Sequence, residues 1–338
     1  MDWLGLDVGG ANLKIASCQG YARSESFALW RRSDDLAAAL RELISSAPHA
    51  GGVAVTMTGE LADCFETKTH GVLHILEAVE QAATPGKILV YRVDGHFVSV
   101  DKARSEPLLT AASNWHALAR YACRWVEDFP AVLIDVGSTS TDIIPLLADG
   151  PNTSSISDTQ RLLSGELVYT GMNRTSVAAI TPDLPYRGRQ CQVAAEAFAT
   201  AADVAVLLEF SPEQPLNCDT ADGRPLTKGN SRNRMARLLC ADRTEFTYDD
   251  ALQAARYVWG LQTSQIGRAL KQVIDLTSIV PASVLVCGSG EMLADAAVKS
   301  TAISALPQRL SEILGIELSN VAPAYAVALL ASRQELEA

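Results

Sequence analysis

The sequence predicts an α/β protein built as two related lobes around a cleft, and three observations carry that prediction. One phrase is written twice: Leu6-Asp7-Val8-Gly9-Gly10-Ala11-Asn12-Leu13-Lys14-Ile15 recurs as Ile134-Asp135-Val136-Gly137-Ser138-Thr139-Ser140-Thr141-Asp142-Ile143. In each copy an apolar run ends in Asp, a small turn follows, and a second apolar run returns, the pattern of a strand, a tight turn and an antiparallel strand. An amphipathic segment starting at Ser113 or Asn114 then feeds directly into the second copy. Finally, the apolar run 284–287 passes through Gly288-Ser289-Gly290 into a helical pattern from Glu291, a strand–turn–helix junction.

The remaining elements follow in order. After the opening hairpin, Ser33 is expected to cap a helix, with Asp34 and Asp35 in its first turn and Leu36, Leu40, Leu43 and Ile44 on its apolar face. Residues 52–56 read as a buried strand. A helix over 61–80 is expected, interrupted near Gly71. Residues 87–91 and 96–100 read as strands around Asp94-Gly95. Trp115, Leu118, Ala119, Ala122, Trp125, Val126 and Phe129 keep three-and-four spacing, so the next helix is expected to run to Pro130, with the lobe boundary there. Residues 194–209 read as an Ala-rich helix, 211–233 as a polar surface loop with Pro212, Pro215, Gly223, Pro225 and Gly229, and 248–279 as a long helix.

Composition narrows the function. The 338 residues are 48% hydrophobic, ample for one large or two medium domains. A net charge of −11 without any basic run argues against a nucleic-acid partner. Cys18, Cys64, Cys123, Cys191, Cys218, Cys240 and Cys287 are scattered without a Cys-x-x-Cys pair, which argues against a zinc site or a disulfide framework and fits a reducing compartment. Met1 leads straight into the first strand, so no targeting segment is read, and no apolar run approaches membrane-spanning length. A cytoplasmic protein with small-molecule partners is expected, with no nucleic acid and no membrane among them; a homo-oligomer is compatible.

The doubled turn carries the chemistry. Gly9, Gly10 and Gly137 are expected to take positive φ and let backbone approach an anion. Ser138, Thr139, Ser140 and Thr141 can donate to phosphate oxygens, as can the Asn12 amide, and Lys14 adds a point charge. Asp7 and Asp135 would repel a bare phosphate, so their presence calls for Mg²⁺, held directly or through water. One such turn is ordinary hairpin chemistry; two in matching contexts favour a clamp on a diphosphate or nucleotide. Gly288 and Gly290 would let a flat ligand lie against bare backbone. Glu60, Asp63 and Glu166 are candidate bases, although for each one a helix-start or surface carboxylate is the favoured reading. His70 and His74 lie four apart without a third ligand, which favours a structural role. Arg174 is the leading cation outside the turns, suited to a carboxylate or phosphate or to a salt bridge.

The segments 7–14, 135–142 and 284–290, in this order, resemble the phosphate-1, phosphate-2 and adenosine motifs of the superfamily of sugar kinases, actin and heat-shock chaperone ATPases. Within it, Asp7-Val-Gly-Gly-Ala-Asn, Ala112-Ser-Asn-Trp-His-Ala-Leu-Ala, Asp135-Val-Gly-Ser-Thr-Ser-Thr-Asp-Ile-Ile-Pro, Gly165-Glu-Leu-Val-Tyr-Thr-Gly, Arg174-Thr and Ala195-Glu-Ala-Phe-Ala-Thr resemble the hydantoinase/oxoprolinase family. The likeness is to a short, stand-alone branch linked to tetrahydromethanopterin-dependent one-carbon metabolism, which includes the synthase that builds the furan–phenol ether of methanofuran.

The resemblance implies two duplicated actin-like (ribonuclease H-like) lobes around a central cleft. Residues 1–130 plus about 318–338 would form the first and 131–317 the second, with the last helix, around 325–336, packed back on the first. It also implies condensation of an aminomethylfuran diphosphate with a tyramine- or tyrosine-derived phenol, pyrophosphate leaving, with Asp7, Lys14, Asp135 and Arg174 as the catalytic residues. Ala11 sits where many relatives carry a hydroxyl, and Leu13 replaces a Thr common in close relatives; both weigh against γ-phosphate transfer from ATP. The alternatives are an ATP-dependent hydrolase of cyclic amides, which would use ATP with Mg²⁺, and a non-catalytic nucleotide-binding protein of actin type.

Overall fold

The structure, a computed structural model, describes residues 2–83 and 86–337. Met1, on which the reading of the N-terminus rests, and Ala338, the end of the expected first lobe, lie outside the described residues. Strands β1 (Trp3–Val8), β2 (Asn12–Ser17), β3 (Ala22–Ser26), β4 (Gly52–Met57), β5 (Lys87–Tyr91) and β6 (Phe97–Val98) form one sheet in the order β3-β2-β1-β4-β5-β6. A second sheet begins with the repeated hairpin, β7 (Ala131–Val136) and β8 (Thr141–Leu147), to which β9 (Gly150–Pro151) and β10 (Leu167–Val168) pair. After a separate hairpin of β11 (Asp183–Tyr186) and β12 (Arg189–Gln192), β13 (Ser283–Cys287) and β14 (Pro307–Arg309) complete the order β10-β8-β7-β13-β14. β1 is antiparallel to β2 and parallel to β4; β7 is antiparallel to β8 and parallel to β13. The repeated phrase is therefore a repeated topology, and the α/β class with two duplicated halves is the one expected.

Strand periodicity decides where the two aspartates point. β1 is buried along its whole length. Leu4, Leu6 and Val8 enter a core with Leu36, Leu40, Val72 and Ile75. Trp3 faces the other way, packing with Val327 and Ala331 of the helix Ala322–Glu337, and Asp7 shares that face. β7 obeys the same rule: Val132, Ile134 and Val136 pack with Ile266, Leu270 and Leu293, while Ala131 and Leu133 join Trp115, Leu118, Ala322 and Ala326. That last cluster draws on helices beside the first sheet and strands of the second, so it is the layer between them. Asp7 and Asp135 both end a face turned toward this layer.

Several expected elements differ. Ser33 does not open the helix: it ends the short helix Leu29–Arg32, residues 33–35 form one 3-10 turn, and the helix Leu36–Ser45 follows. The helix Lys68–Ala83 starts late and runs unbroken through Gly71. Gly71 is there for close approach, since a Cβ would lie 2.1 Å from the Glu60 carbonyl oxygen. The strand expected over 96–100 shrinks to β6, because Ser99 caps the helix Val100–Ser105. The helix Asn114–Ala122 stops well short of Pro130, although Trp125, Val126 and Phe129 still pack on the same cluster. Only Ala201–Leu207 of the Ala-rich segment is helical, and the supposed loop 211–233 ends at Thr227, whose hydroxyl caps the helix Lys228–Leu238. Arg234 on that helix is buried against Asp203, which no surface loop would need. Helix Tyr248–Thr277 and strand β13 run as expected. Among the described residues, no helix is long and apolar enough to cross a membrane.

The close docking of the last helix on β1 has a direct test. A Cβ at Gly5 would lie 1.9 Å from the Ala324 carbonyl oxygen. Gly5→Ala is expected to cost about 1–3 kcal/mol or more in urea unfolding, the usual penalty for overpacking a tight contact. Wild-type stability in that variant would contradict the docking.

Candidate active site

The two turns close identically. The Gly9 N–H donates to Asn12 O at 3.0 Å, and the Gly137 N–H donates to Ser140 O at 2.9 Å. None of Gly9, Gly10 and Gly137 has positive φ, so that expectation is corrected. What they offer is bare backbone: nothing lies within 4 Å of a Cβ built on Gly10. Asn12, Ser138, Thr139 and Ser140 are half-buried at the turns and their side chains have no hydrogen-bond partner among the described residues. Thr141 is a second correction. Its hydroxyl is buried and donates to Thr170 O at 2.7 Å, so its proton is committed to the fold and not to a phosphate.

The carboxylates behind the turns sense one another across the two sheets. Asp7 is buried beside its cross-strand neighbour Lys14, whose Nζ lies 3.6 Å away. Burial raises the Asp7 pKa against the pull of Lys14, and Asp142 of the second hairpin pushes it the same way. Asp135 is raised to about 7, first by burial, then by Asp142, its cross-strand partner, with Asp7 adding to the effect and Lys14 opposing it. The halves of the repeat therefore face one space, and Lys14 acts on both aspartates. The site also holds residues that the motifs did not single out. Asp142 is paired at 2.6 Å with the buried Arg161, which stacks over Trp115 at 4.2 Å. Cys287 is buried directly across the strand pairing from Asp135. Gly288, at φ 86°, leaves room for that carboxylate, since a Cβ would sit 2.3 Å from Asp135 Oδ1. Gly290 donates its N–H to Val136 O at 2.9 Å. The Gly-x-Gly turn is thus pressed against the second aspartate. Asp142 lay in plain view inside the repeat, whereas nothing in the pattern around Arg161 marked it as buried.

No cluster of three or more His, Cys, Asp or Glu among the described residues forms a ready metal cage. The donor set nevertheless fits a hydrated divalent cation. Asp7 Oδ1 is buried without a partner, and Asp7 raises the cost of ionising Asp135 while Lys14 acts as counter-charge to both. Asp7 and Asp135 would hold such an ion with phosphate oxygens and water completing its shell.

The candidate bases separate cleanly. Asp63 is exposed, and both oxygens of Glu166 accept from the Thr153 hydroxyl, at 2.7 and 2.6 Å. Glu60 is buried directly after Gly59, whose N–H donates to Val8 O at the first turn. One of its carboxylate oxygens, Oε2, has no partner. Burial raises its pKa to about 7, as does Asp158, while Lys68 and the Ala112 N–H oppose the shift. His70 and His74 pack on Phe65, and His74 Nε2 lies 3.0 Å from Ser33 O, a structural role as expected. The Arg174 guanidinium forms no salt bridge among the described residues; it lies over the Trp30 ring.

Glu60 allows a stability test. Its folded pKa lies above the ordinary value of 4.5, so the stability it contributes is complete below about pH 4.5 and is lost as pH rises through about 7. Relative to Glu60→Gln, the wild type is expected to lose on the order of 3 kcal/mol over that interval in urea unfolding at stepped pH. Parallel curves would show that Glu60 titrates normally.

Comparison with known proteins gives this arrangement a family. The hydantoinase/oxoprolinase family model matches residues 51–334. The (4-{4-[2-(gamma-L-glutamylamino)ethyl]phenoxymethyl}furan-2-yl)methanamine synthase of Methanocaldococcus jannaschii is 32% identical over 335 residues, 98% of each chain. The protein of the same name from Methanococcus vannielii is 30% identical over 207 residues, 60% of this chain and 91% of that one. Similar solved structures include a putative N-acetylmannosamine kinase from Listeria monocytogenes (TM-score 0.49, 11% identity, covering 99% of this chain and 100% of that one) and the activator of the 2-hydroxyisocaproyl-CoA dehydratase from Clostridium difficile (TM-score 0.42, 14% identity, 99% and 98%). With the family model spanning most of the chain and a relative above 30% identity covering nearly all of it, the chain belongs to the hydantoinase/oxoprolinase family.

Proposed function

We propose that this protein is a transferase that joins an aminomethylfuran diphosphate to the phenol of a γ-glutamyltyramine-type partner, releasing pyrophosphate. The reaction would serve synthesis of a methanofuran-type cofactor for tetrahydromethanopterin-linked one-carbon transfer in the cytoplasm. The observation that carries this reading is the pair of matching turns, with unused donors at Asn12, Ser138, Thr139 and Ser140, set around Lys14 and the buried aspartates. The near full-length likeness to the jannaschii synthase supplies the substrate class.

The chemistry follows from the charges. The furfuryl C–O bond to diphosphate breaks, the phenol oxygen forms the new C–O bond, and the phenolic proton passes to a base. Negative charge grows on the departing pyrophosphate, where Lys14 and the turn donors would stabilise it most at the transition state. Asp7 and Asp135 would hold Mg²⁺, whose chemistry there would be further neutralisation of that charge. Glu60 is the strongest base candidate, because a carboxyl with a pKa of about 7 is poised to take a proton near neutral pH. Ala11 places no hydroxyl on the first turn, which disfavours a kinase-type reaction, whereas Leu13 points from β2 into the first core, where a hydroxyl would not face a phosphate. Family membership keeps ATP-dependent opening of a cyclic amide as the second reading, in which ADP and an opened ring would be the products.

Two measurements check the proposal. Purified protein given the furan diphosphate, γ-glutamyltyramine and Mg²⁺, without ATP, is expected to yield ether and pyrophosphate in equal amounts by mass spectrometry. Lys14→Ala should lower kcat by about 10²–10³-fold, the scale set by loss of one charge-stabilising donor, with little change in KM for the phenol. Turnover only with ATP and a cyclic amide would transfer the assignment to the second reading. Separately, calorimetry with pyrophosphate and Mg²⁺ should show binding that Asp7→Asn and Asp135→Asn each weaken at least tenfold, as expected when a group holding the cation is lost. Unchanged affinity in both variants would remove the clamp.

A further inference from the structure

The mouth of the site carries a cation that no protein carboxylate uses. Leu29 donates its N–H to Gly10 O at 3.0 Å, and Phe27 to Ala11 O at 2.9 Å, which ties the segment bearing Trp30 to the first turn. Asn173 and Arg174 donate their N–H groups to Ser138 O at 3.0 and 2.9 Å, which ties Arg174 to the second turn. The two side chains meet across the mouth, the Arg174 guanidinium carbon lying 4.2 Å from the Trp30 ring centroid. Arg174 is exposed and Trp30 half-buried. Stacking uses the flat face of a guanidinium and leaves its in-plane N–H donors free, which is the geometry for bidentate capture of a planar oxyanion. No acceptor or ion-pair partner is recorded for the Arg174 side chain among the described residues.

We propose that Arg174, oriented by the indole of Trp30, selects the phenolic substrate by binding a carboxylate on its tail. The proposal rests on the condensation reading given above. A carboxylate suits the position better than the diphosphate does. The diphosphate donors are side chains of the turns themselves, whereas Arg174 follows in a separate exposed segment that the second turn holds through Ser138 O, with its guanidinium on Trp30. Arg174 is then a substrate-binding residue, and Trp30 a positioning residue that acts through it.

The test is calorimetric titration of the full chain, saturated with pyrophosphate and Mg²⁺, with γ-glutamyltyramine and with N-acetyltyramine, which lacks the carboxylate. Wild type is expected to favour γ-glutamyltyramine. Arg174→Gln should lower that affinity on the order of tenfold, the scale of a hydrogen bond to a charged group, and leave N-acetyltyramine unchanged. Arg174→Lys should recover little, because an ammonium lacks the planar fork. Trp30→Leu should reproduce the loss and Trp30→Phe should restore binding, since a ring that only filled space would not discriminate between the two ligands. Equal affinity for γ-glutamyltyramine in wild type and Arg174→Gln would overturn this inference while leaving the condensation intact. Weakened pyrophosphate binding in Arg174→Gln, with phenol binding unchanged, would also overturn it by assigning Arg174 to the diphosphate. Failure of the wild type to bind either phenol would overturn both readings.

Discussion

Asp7, Asp135 and Asp142 are carboxylates of one sign held out of water between two sheets, and the surrounding architecture is arranged around that cost. Removing an ion from water costs several kcal/mol unless an opposite charge and hydrogen bonds offset it. Here the offsets are specific. Lys14 stands across the strand from Asp7, and Arg161 pairs with Asp142. Even so, burial first and Asp142 second hold the Asp135 pKa up at about 7, an imbalance against its charged form. That imbalance is what a bound cation would relieve, which makes the protein half of this site strained in a chemically useful direction.

The repeat is symmetric in backbone and asymmetric in charge. Lys14 and Asp142 occupy equivalent registers, each opposite the aspartate that ends the first strand of its hairpin. One half of the repeat therefore sets a cation opposite its aspartate, and the other sets an anion that must be neutralised from behind. Arg161 does this from a helix that begins with a Ser157–Gln160 capping box, and its guanidinium lies on Trp115, across the shared layer. Neutralisation of Asp142 is thereby coupled to the packing of the two halves.

Two arginine–tryptophan stacks span those halves at different depths. The inner one, Arg161 on Trp115, is buried on both sides; the outer one, Arg174 on Trp30, is open to solvent. Cation–π contacts gain about 0.5–1 kcal/mol when exposed and about 2 when desolvated. The inner stack thus belongs to the permanent core, while the outer one can yield to a ligand at small cost.

The fold and the backbone of the site were legible in the sequence because both depend on local chemistry. Two Asp-ended apolar runs with small turns specify two hairpins, and period-two alternation specifies that Asp7 and Asp135 share a face with Trp3 and Leu133. The misses occurred where a tertiary partner overrode the local pattern. Gly71 reads as a helix breaker until the Glu60 backbone is seen against it, and Thr141 reads as a phosphate donor until Thr170 accepts its proton. Arg161, Trp30 and the choice of Glu60 over Asp63 and Glu166 came only from the assembled chain. Burial and pairing are properties of distant segments meeting: Arg161 reaches Trp115, and Arg174 reaches Trp30, only once the chain has brought those segments together.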